Sequence, residues 1–341
     1  MKVSTIGLDL AKNVFQVHAV DSEGRVILRR KLRRQGVLAF FAGLEACTVA
    51  MEACATAHYW GRELEALGHR VRLIPPAYVK PYVKRGKKND AADAEAICEA
   101  AGRPGMRFVP VKSVEQQALL MLHRARALLI RQRTRLINAL RAHLAELGIV
   151  AAKGRENVAG LIARLDEAES GLPAAALPGL KALAGQIGSL KEALRPLDAE
   201  ILARHRADPA SRRLATIPGV GPIVASALAA TMGEAKRFRS GRHFAAWLGL
   251  VPKQNSSGGK ARLGRISKMG DRYLRSLLIL GATSRLRRAA KASPAEAEWT
   301  RRLLGRRPPR LVTVALSNKM ARVAWALLAH GQDYRTESKA L

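Results

Sequence analysis

Cysteine is close to absent from this chain, with only Cys47, Cys54 and Cys98 in 341 residues. An odd number without metal-type spacing argues against a disulfide framework or a thiolate zinc site and leaves the three as small apolar residues. Long hydrophobic runs are lacking as well. No stretch approaches the roughly 20 apolar residues of a membrane span, and the first ten residues lack the layout of a signal peptide, being a strand-like stretch interrupted by Asp9. A cytoplasmic protein with no membrane partner is expected. Acids are the third scarcity: 27 Asp and Glu face 59 Lys and Arg, a formal charge of +32. Hydrophobic residues, at 48%, suffice to bury real cores, so disorder is not the expectation.

The excess charge is concentrated. Residues 1–105 hold 17 basic and 11 acidic side chains, 106–205 hold 15 and 9, and 206–341 hold 27 and 7, so the last third alone carries +20. A polyanion is the natural counterpart, and nucleic acid outweighs a membrane surface or a merely solvated basic face because the motifs agree with it. The first third keeps its acids despite the basic whole.

Three strands open the chain, Val3–Leu10, Val14–Val20 and Arg25–Leu32, with Asp21, Ser22, Glu23 and Gly24 forming a turn. A helix near Val37–Glu45, a strand at Cys47–Met51, a helix at Ala55–Leu67 stopped by Gly68, and a strand at Val71–Ile74 closed by Pro75 and Pro76 follow. A meander continued by alternating helix and strand is the layout of a ribonuclease-H-like α/β domain. From Ser113 the period becomes helical: Ser113 and Gln116 fit a capping box, and leucines recur to Leu147 before Gly148. A rod of roughly 50 Å results. Its apolar stripe needs a partner, which Val158–Glu169 and Ile187–His205 can supply, with Pro173 and Pro178 as breaks. Three domains are expected: 1–105, a helical coiled-coil connector over 106–205, and a mostly α domain over 206–341.

Four acids fall at element ends: Asp9 late in the first strand, Glu52 after the apolar strand, and Asp90 and Asp93 at i and i+3 on one face of a starting helix. Converging, they would repel one another unless cations were bound. Two magnesium ions would neutralise them and stabilise both attacking and leaving oxygens of a phosphodiester. Singly, each acid is more simply a cap, a surface charge or a loop residue; together on this fold they point to metal chemistry. In Ile217-Pro218-Gly219-Val220-Gly221-Pro222, ahead of a helical run, Gly219 and Gly221 would let the backbone approach a phosphate, as in a helix-hairpin-helix unit, although a plain turn has the same composition. Farther on, a Ser256-Ser257-Gly258-Gly259 stretch lies among Lys253, Lys260, Arg262, Arg265 and Lys268, with Arg272 and Arg275 beyond. It reads as a mobile, electropositive loop in which a serine could attack a polarised phosphate; a Gly/Ser linker has the same composition.

In combination, G-L-D-L-A-K at 7–12, M-E-A-C at 51–54, K-N-D-A-A-D-A at 88–94, I-P-G-V-G at 217–221, G-L-V-P-K-Q-N-S-S-G-G-K at 249–260 and R-I-S-K-M-G-D at 265–271 resemble the DEDD transposases of bacterial insertion sequences over nearly the whole chain. The resemblance implies a RuvC-like N-terminal domain whose Asp9, Glu52, Asp90 and Asp93 bind magnesium. It implies a C-terminal transposase domain whose serine, Ser256 or Ser257 according to the register of the match, attacks DNA to give a phosphoserine intermediate. It further implies donor and target DNA as substrates, a structured noncoding guide RNA (a bridge or seeker RNA), and a homodimer or homotetramer whose active sites combine domains of different subunits. A RuvC-like junction nuclease using water and a non-catalytic architectural binder are the competing classes.

Overall fold

A computed structural model describes residues 2–83, 89–154, 156–167, 171–288 and 294–335. They form two compact units, Met1–Gln117 and Ala118–Leu341. Lys88, the first residue of K-N-D-A-A-D-A, and residues 168–169, at the end of the expected segment Val158–Glu169, lie outside the described residues.

The first unit is built on a five-stranded mixed sheet. Its strands are β1 (Thr5–Asp9), β2 (Val14–Val20), β3 (Val26–Arg33), β4 (Thr48–Glu52) and β5 (Arg70–Ile74), in the spatial order β3-β2-β1-β4-β5. The meander β1-β2-β3 is antiparallel, whereas β4 runs parallel to both β1 and β5. This arrangement is compatible with a ribonuclease-H-like domain. Helices α1 (Val37–Ala42) and α2 (Ala57–Ala66) cover one face, packing Phe41, Trp60 and Leu64 on Ile6, Leu8, Phe15 and Val17. On the other face, beyond the short α3 (Pro76–Val79), lies α4 (Asp90–Ala101), which buries Ile97, Ala100 and Ala101 against Ala50 and Ile74. Gly7 makes this close layer possible. A Cβ there would stand 2.1 Å from the Ala94 carbonyl oxygen and 2.6 Å from the Cys98 nitrogen, so only glycine lets α4 lie directly on β1.

The second unit is mainly helical. The long α5 (Val114–Glu146) begins at the expected capping box: the Ser113 amide donates to Gln116 Oε1 at 3.0 Å and the Gln116 amide to Ser113 Oγ at 3.2 Å. Its Leu140 and Leu144 share a core with Val158 and Leu161 of α6 (Val158–Ala163) and with Leu180 and Ile187 of α7 (Leu177–Ala207). Nearer the start of α5, Arg126 pairs with Asp198, so α5 and α7 run antiparallel. The gap between α6 and α7 falls where Pro173 and Pro178 were expected to mark it, but α7 starts at Leu177 and not at Ile187, because Pro178 fits the first turn, where its missing N–H has no helical partner to lose.

Helices α8 (Pro209–Ala215), α9 (Pro222–Met232), α10 (Gly241–Trp247), α11 (Arg272–Arg287), α12 (Pro294–Leu304) and α13 (Pro309–His330) complete the unit, with a two-stranded hairpin of β6 (Pro252–Gln254) and β7 (Leu263–Ile266) inserted before α11. Its core joins Leu214, Leu228, Phe244, Leu278, Leu316 and Met320. By length and mean hydropathy α13 is the one helix among the described residues that could cross a bilayer, but Arg310, Lys319 and Arg322 interrupt it, so it is not a continuous apolar run. Its Val312 and Ala321 are fully buried, and Leu316, Met320, Ala324 and Leu327 line that core.

Candidate functional site

Asp9 and Glu52 end neighbouring parallel strands. Leu8 pairs with Met51, so the two carboxylates occupy the next step of the same ladder. Asp9 lies on the face of β1 that Gly7 presents to α4, because side chains alternate along a strand. Asn89 caps α4, its side-chain oxygen accepting from the Ala92 amide at 2.8 Å, which leaves Asp90 and Asp93 in the first turn with the favourable end of the helix dipole.

All four acids share one electrostatic field. Burial, followed by the charges of Asp93, Asp90 and Glu52, pushes Asp9 up to about 6. Glu52 is raised by burial and then by Asp93. The donor set is all carboxylate oxygen, which suits a hard divalent cation rather than a soft one. Among the described residues no three acid, histidine or cysteine side chains close into a cage around an ion. Magnesium suits such an open arrangement, since it usually keeps several waters and takes only one or two protein carboxylates beside substrate phosphates. The thiols are free, and burial raises Cys47 and Cys98 to about 11, far from a reactive thiolate. An open hollow of about 440 Å³ lies at the opposite end of the strands, beside Ser4, Cys47, Thr48 and Arg70, away from the acids.

In the second unit the serine stretch is not a slack loop. Gln254 pairs with Leu263, the Asn255 amide donates to the Arg262 carbonyl at 2.9 Å, and the Lys260 amide closes on the Ser257 carbonyl at 3.0 Å. Gly258 and Gly259 occupy the two central positions with φ of +55° and +72°, the backbone a tight two-residue hairpin turn demands. The two serines thus stand at a hairpin tip rather than in a linker. Ser256 Oγ accepts from the Arg262 amide at 3.1 Å. Lys253, Lys260, Arg262, Arg265, Lys268 and Arg272 are exposed around or beyond the hairpin.

Arg275 has a different place. It is buried, and its guanidinium donates to the Leu248 carbonyl at 2.9 Å and the Met269 carbonyl at 3.0 Å, tying the base of the hairpin to α11. Beside it Lys268 holds φ at +55°, the one non-glycine residue among those described with positive φ, a conformation costing on the order of 1–3 kcal/mol. Gly219, in the turn between α8 and α9, faces inward: a Cβ there would meet the Gly281 carbonyl oxygen of α11 at 2.9 Å, so its smallness serves packing. Gly221 caps α9 and borders open space. Sequence reasoning missed the buried His123 on α5, whose ring nitrogens contact Tyr273 and Ser226, because a lone histidine in a leucine-rich helix carries no local signal.

The family described as "Transposase IS116/IS110/IS902 family" matches residues 211–297, and a DEDD-type family described as "Transposase" matches 6–149. The chain is 52% identical to a "Probable family 20 transposase" of Pseudomonas aeruginosa, covering 98% of this chain and 99% of that one. It is 41% identical to the "Transposase for insertion sequence element IS1328" of Yersinia enterocolitica, covering 96% and 98%. A more distant relative, the "Pilin gene-inverting protein" of Moraxella bovis, is 23% identical over 98% of each chain.

Proposed function

Because this chain belongs to the transposase family of the IS110/IS116/IS902 insertion sequences, and is therefore a DNA transposase and recombinase, we propose that it moves its element by RNA-guided strand exchange through a phosphoserine intermediate. The observation that carries this reading is the common field of Asp9, Glu52, Asp90 and Asp93 at the ends of β1 and β4 and the start of α4. These four residues would hold divalent magnesium, which when bound supplies Lewis-acid polarisation of a scissile phosphate. Burial and the neighbouring carboxylates disfavour the charged forms of Asp9 and Glu52, so these two gain most from a cation.

Ser256 is the nucleophile. Its oxygen already accepts one N–H, from Arg262, so negative charge developing there meets a donor in place. Attack forms the serine–phosphate ester and releases a DNA hydroxyl; the reverse attack by a DNA hydroxyl expels the serine and reseals a strand. The number of phosphodiesters is conserved and no nucleotide cofactor is consumed. A relative named for inverting a gene fits this chemistry, since inversion requires every broken strand to be rejoined.

The basic excess of residues 206–341 serves backbone contact, with α8, its turn and α9 as a helix-hairpin-helix phosphate contact at the Gly221 end. Sequence choice falls to pairing between a structured guide RNA and DNA. Functionally, 1–105 supplies the carboxylates, 106–205 the helical connector and 206–341 the serine, in a homodimer or homotetramer. The test is a reaction of the full chain, its copurified RNA and duplex DNA bearing an element end, stopped in denaturant. DNA linked to the peptide containing Ser256, dependent on magnesium, is expected. Cut DNA with free ends and no linked peptide at any time would instead indicate a nuclease using water.

A further inference from the structure

One row of the sheet runs through the carboxylate pair and out to the sheet's edge. Asp9 pairs with Gln16, and Gln16 pairs with Lys31 on the edge strand β3. One pleat to either side, His18 pairs with Arg29 and Val14 with Arg33, so Arg29, Lys31 and Arg33 share the face of Asp9. The contact between Arg29 and Glu95 of α4, at 3.7 Å, marks the same face independently. Lys31 and Arg33 are exposed, and their side chains make no ion pair or hydrogen bond among the described residues. On the opposite face of β3, Leu28 and Leu32 pack into the core, and the Arg30 guanidinium lies 5.6 Å from the Phe40 ring centroid.

We propose that Lys31 and Arg33, with Arg29 continuing the row, bind the backbone phosphates of the DNA strand that the carboxylate site cuts. This rests on the function proposed above. Alternate residues of a strand stand about 7 Å apart, the scale of successive phosphates along one nucleic-acid strand. Two strand spacings put Lys31 about 10 Å from Asp9, so a phosphate held there is one or two nucleotides from the one at the acids. Four acids in one field repel any polyanion, and the strand to be cut is the one that must approach them. Cations on the adjoining edge offset that repulsion where it is felt. The guide RNA has no need to enter this field. Basic side chains on an edge strand also discourage sheet-to-sheet pairing, but that role makes no distinction between the two faces of β3.

The face dependence is therefore the test, made on the full chain with its copurified RNA and duplex DNA bearing an element end. Lys31→Ala/Arg33→Ala should raise KM for cleavage about tenfold, leave kcat within about twofold, and lower the salt dependence of DNA binding by about two phosphate contacts. Arg30→Ala, which removes the same kind of charge from the other face, should change neither. An uncharged methylphosphonate at the first or second position beside the cut should weaken the wild-type complex yet add little to the double variant. An equal effect from Arg30→Ala, an unchanged KM in the double variant, or a loss confined to RNA binding would overturn the assignment. Cleavage surviving in Asp9→Asn would instead remove the carboxylate reading beneath it, whereas an inert Asp9→Asn beside a fully active double variant overturns the phosphate row alone.

Discussion

His123 on α5 stands 3.1 Å, ring nitrogen to hydroxyl, from Tyr273 on α11, 150 residues away in the chain. Its other nitrogen is 3.1 Å from Ser226 Oγ on α9. The imidazole is fully buried, so one long helix is keyed to two core helices through a single ring. A neutral imidazole donates through one nitrogen and accepts through the other, which matches two hydroxyls that can each do either.

That pairing makes the second unit acid-sensitive. Burial, assisted by Arg126, lowers His123 to about 4. A histidine whose folded pKa lies below its unfolded one costs nothing above pH 6.5; stability falls as pH drops from there and levels off below about 4. The wild type should lose up to about 3 kcal/mol across that window relative to His123→Gln, which keeps hydrogen-bonding groups but cannot titrate. Unfolding midpoints of both proteins at pH 7 and pH 4.5 measure this difference; identical pH dependence would contradict it.

For Asp9 the sign is opposite. A carboxylate pushed up to about 6 is destabilising when ionised, so the strain is present above that pH and absent below its ordinary value. In chelator at pH 7.5, Asp9→Asn should melt at least as high as the wild type, and this advantage should vanish near pH 4. Adding magnesium should stabilise the wild type and not the variant, whose strand cleavage should fall more than about 100-fold. Equal stabilisation of both proteins by magnesium would remove Asp9 from the cation site.

The N-terminal layout was legible because its strands alternate or run apolar and Gly68 follows the end of α2, although α1 stops at Ala42 before Gly43 and not at Glu45; the acids stood out because each sits where an element starts or ends. The serine hairpin was not. Its strands are only Pro252–Gln254 and Leu263–Ile266, almost wholly exposed, so no buried face imposed the alternation by which strands are recognised. Arg275 was indistinguishable from its exposed basic neighbours because its partners are backbone carbonyls, Leu248 lying 27 residues earlier. The start of α7 was read too late, at Ile187 instead of Leu177, because proline stops a helix in its interior but is welcome in its first turn, where Pro178 sits.

Gly7→Ala tests how the acids are held together. The added methyl would collide with the Ala94 carbonyl and the Cys98 nitrogen, both backbone atoms that no rotamer change can move. Displacing α4 shifts Asp90 and Asp93 away from Asp9 and Glu52. The variant should lose roughly 1–3 kcal/mol of stability and cleave poorly even well below its melting temperature, with DNA binding by the second unit retained. Normal melting together with normal cleavage would show that α4 does not depend on this contact.

The two serines can be separated by what each does in the hairpin. Ser257 contributes its backbone to the turn, its carbonyl accepting the Lys260 amide, a bond that alanine preserves. Ser256 contributes its side chain, the Oγ that accepts the Arg262 amide. Ser256→Ala should therefore abolish both the covalent adduct and strand rejoining while RNA and DNA binding survive, and Ser257→Ala should retain at least a tenth of wild-type cleavage. Adduct formation is read on denaturing gels and mapped by peptide mass. If Ser257→Ala is the inert variant and Ser256→Ala remains active, the nucleophile is Ser257 and the Arg262 contact is structural. Wild-type cutting by the Ser256→Ala/Ser257→Ala double variant would exclude a serine nucleophile altogether and leave water, activated at the carboxylate site, as the attacking group.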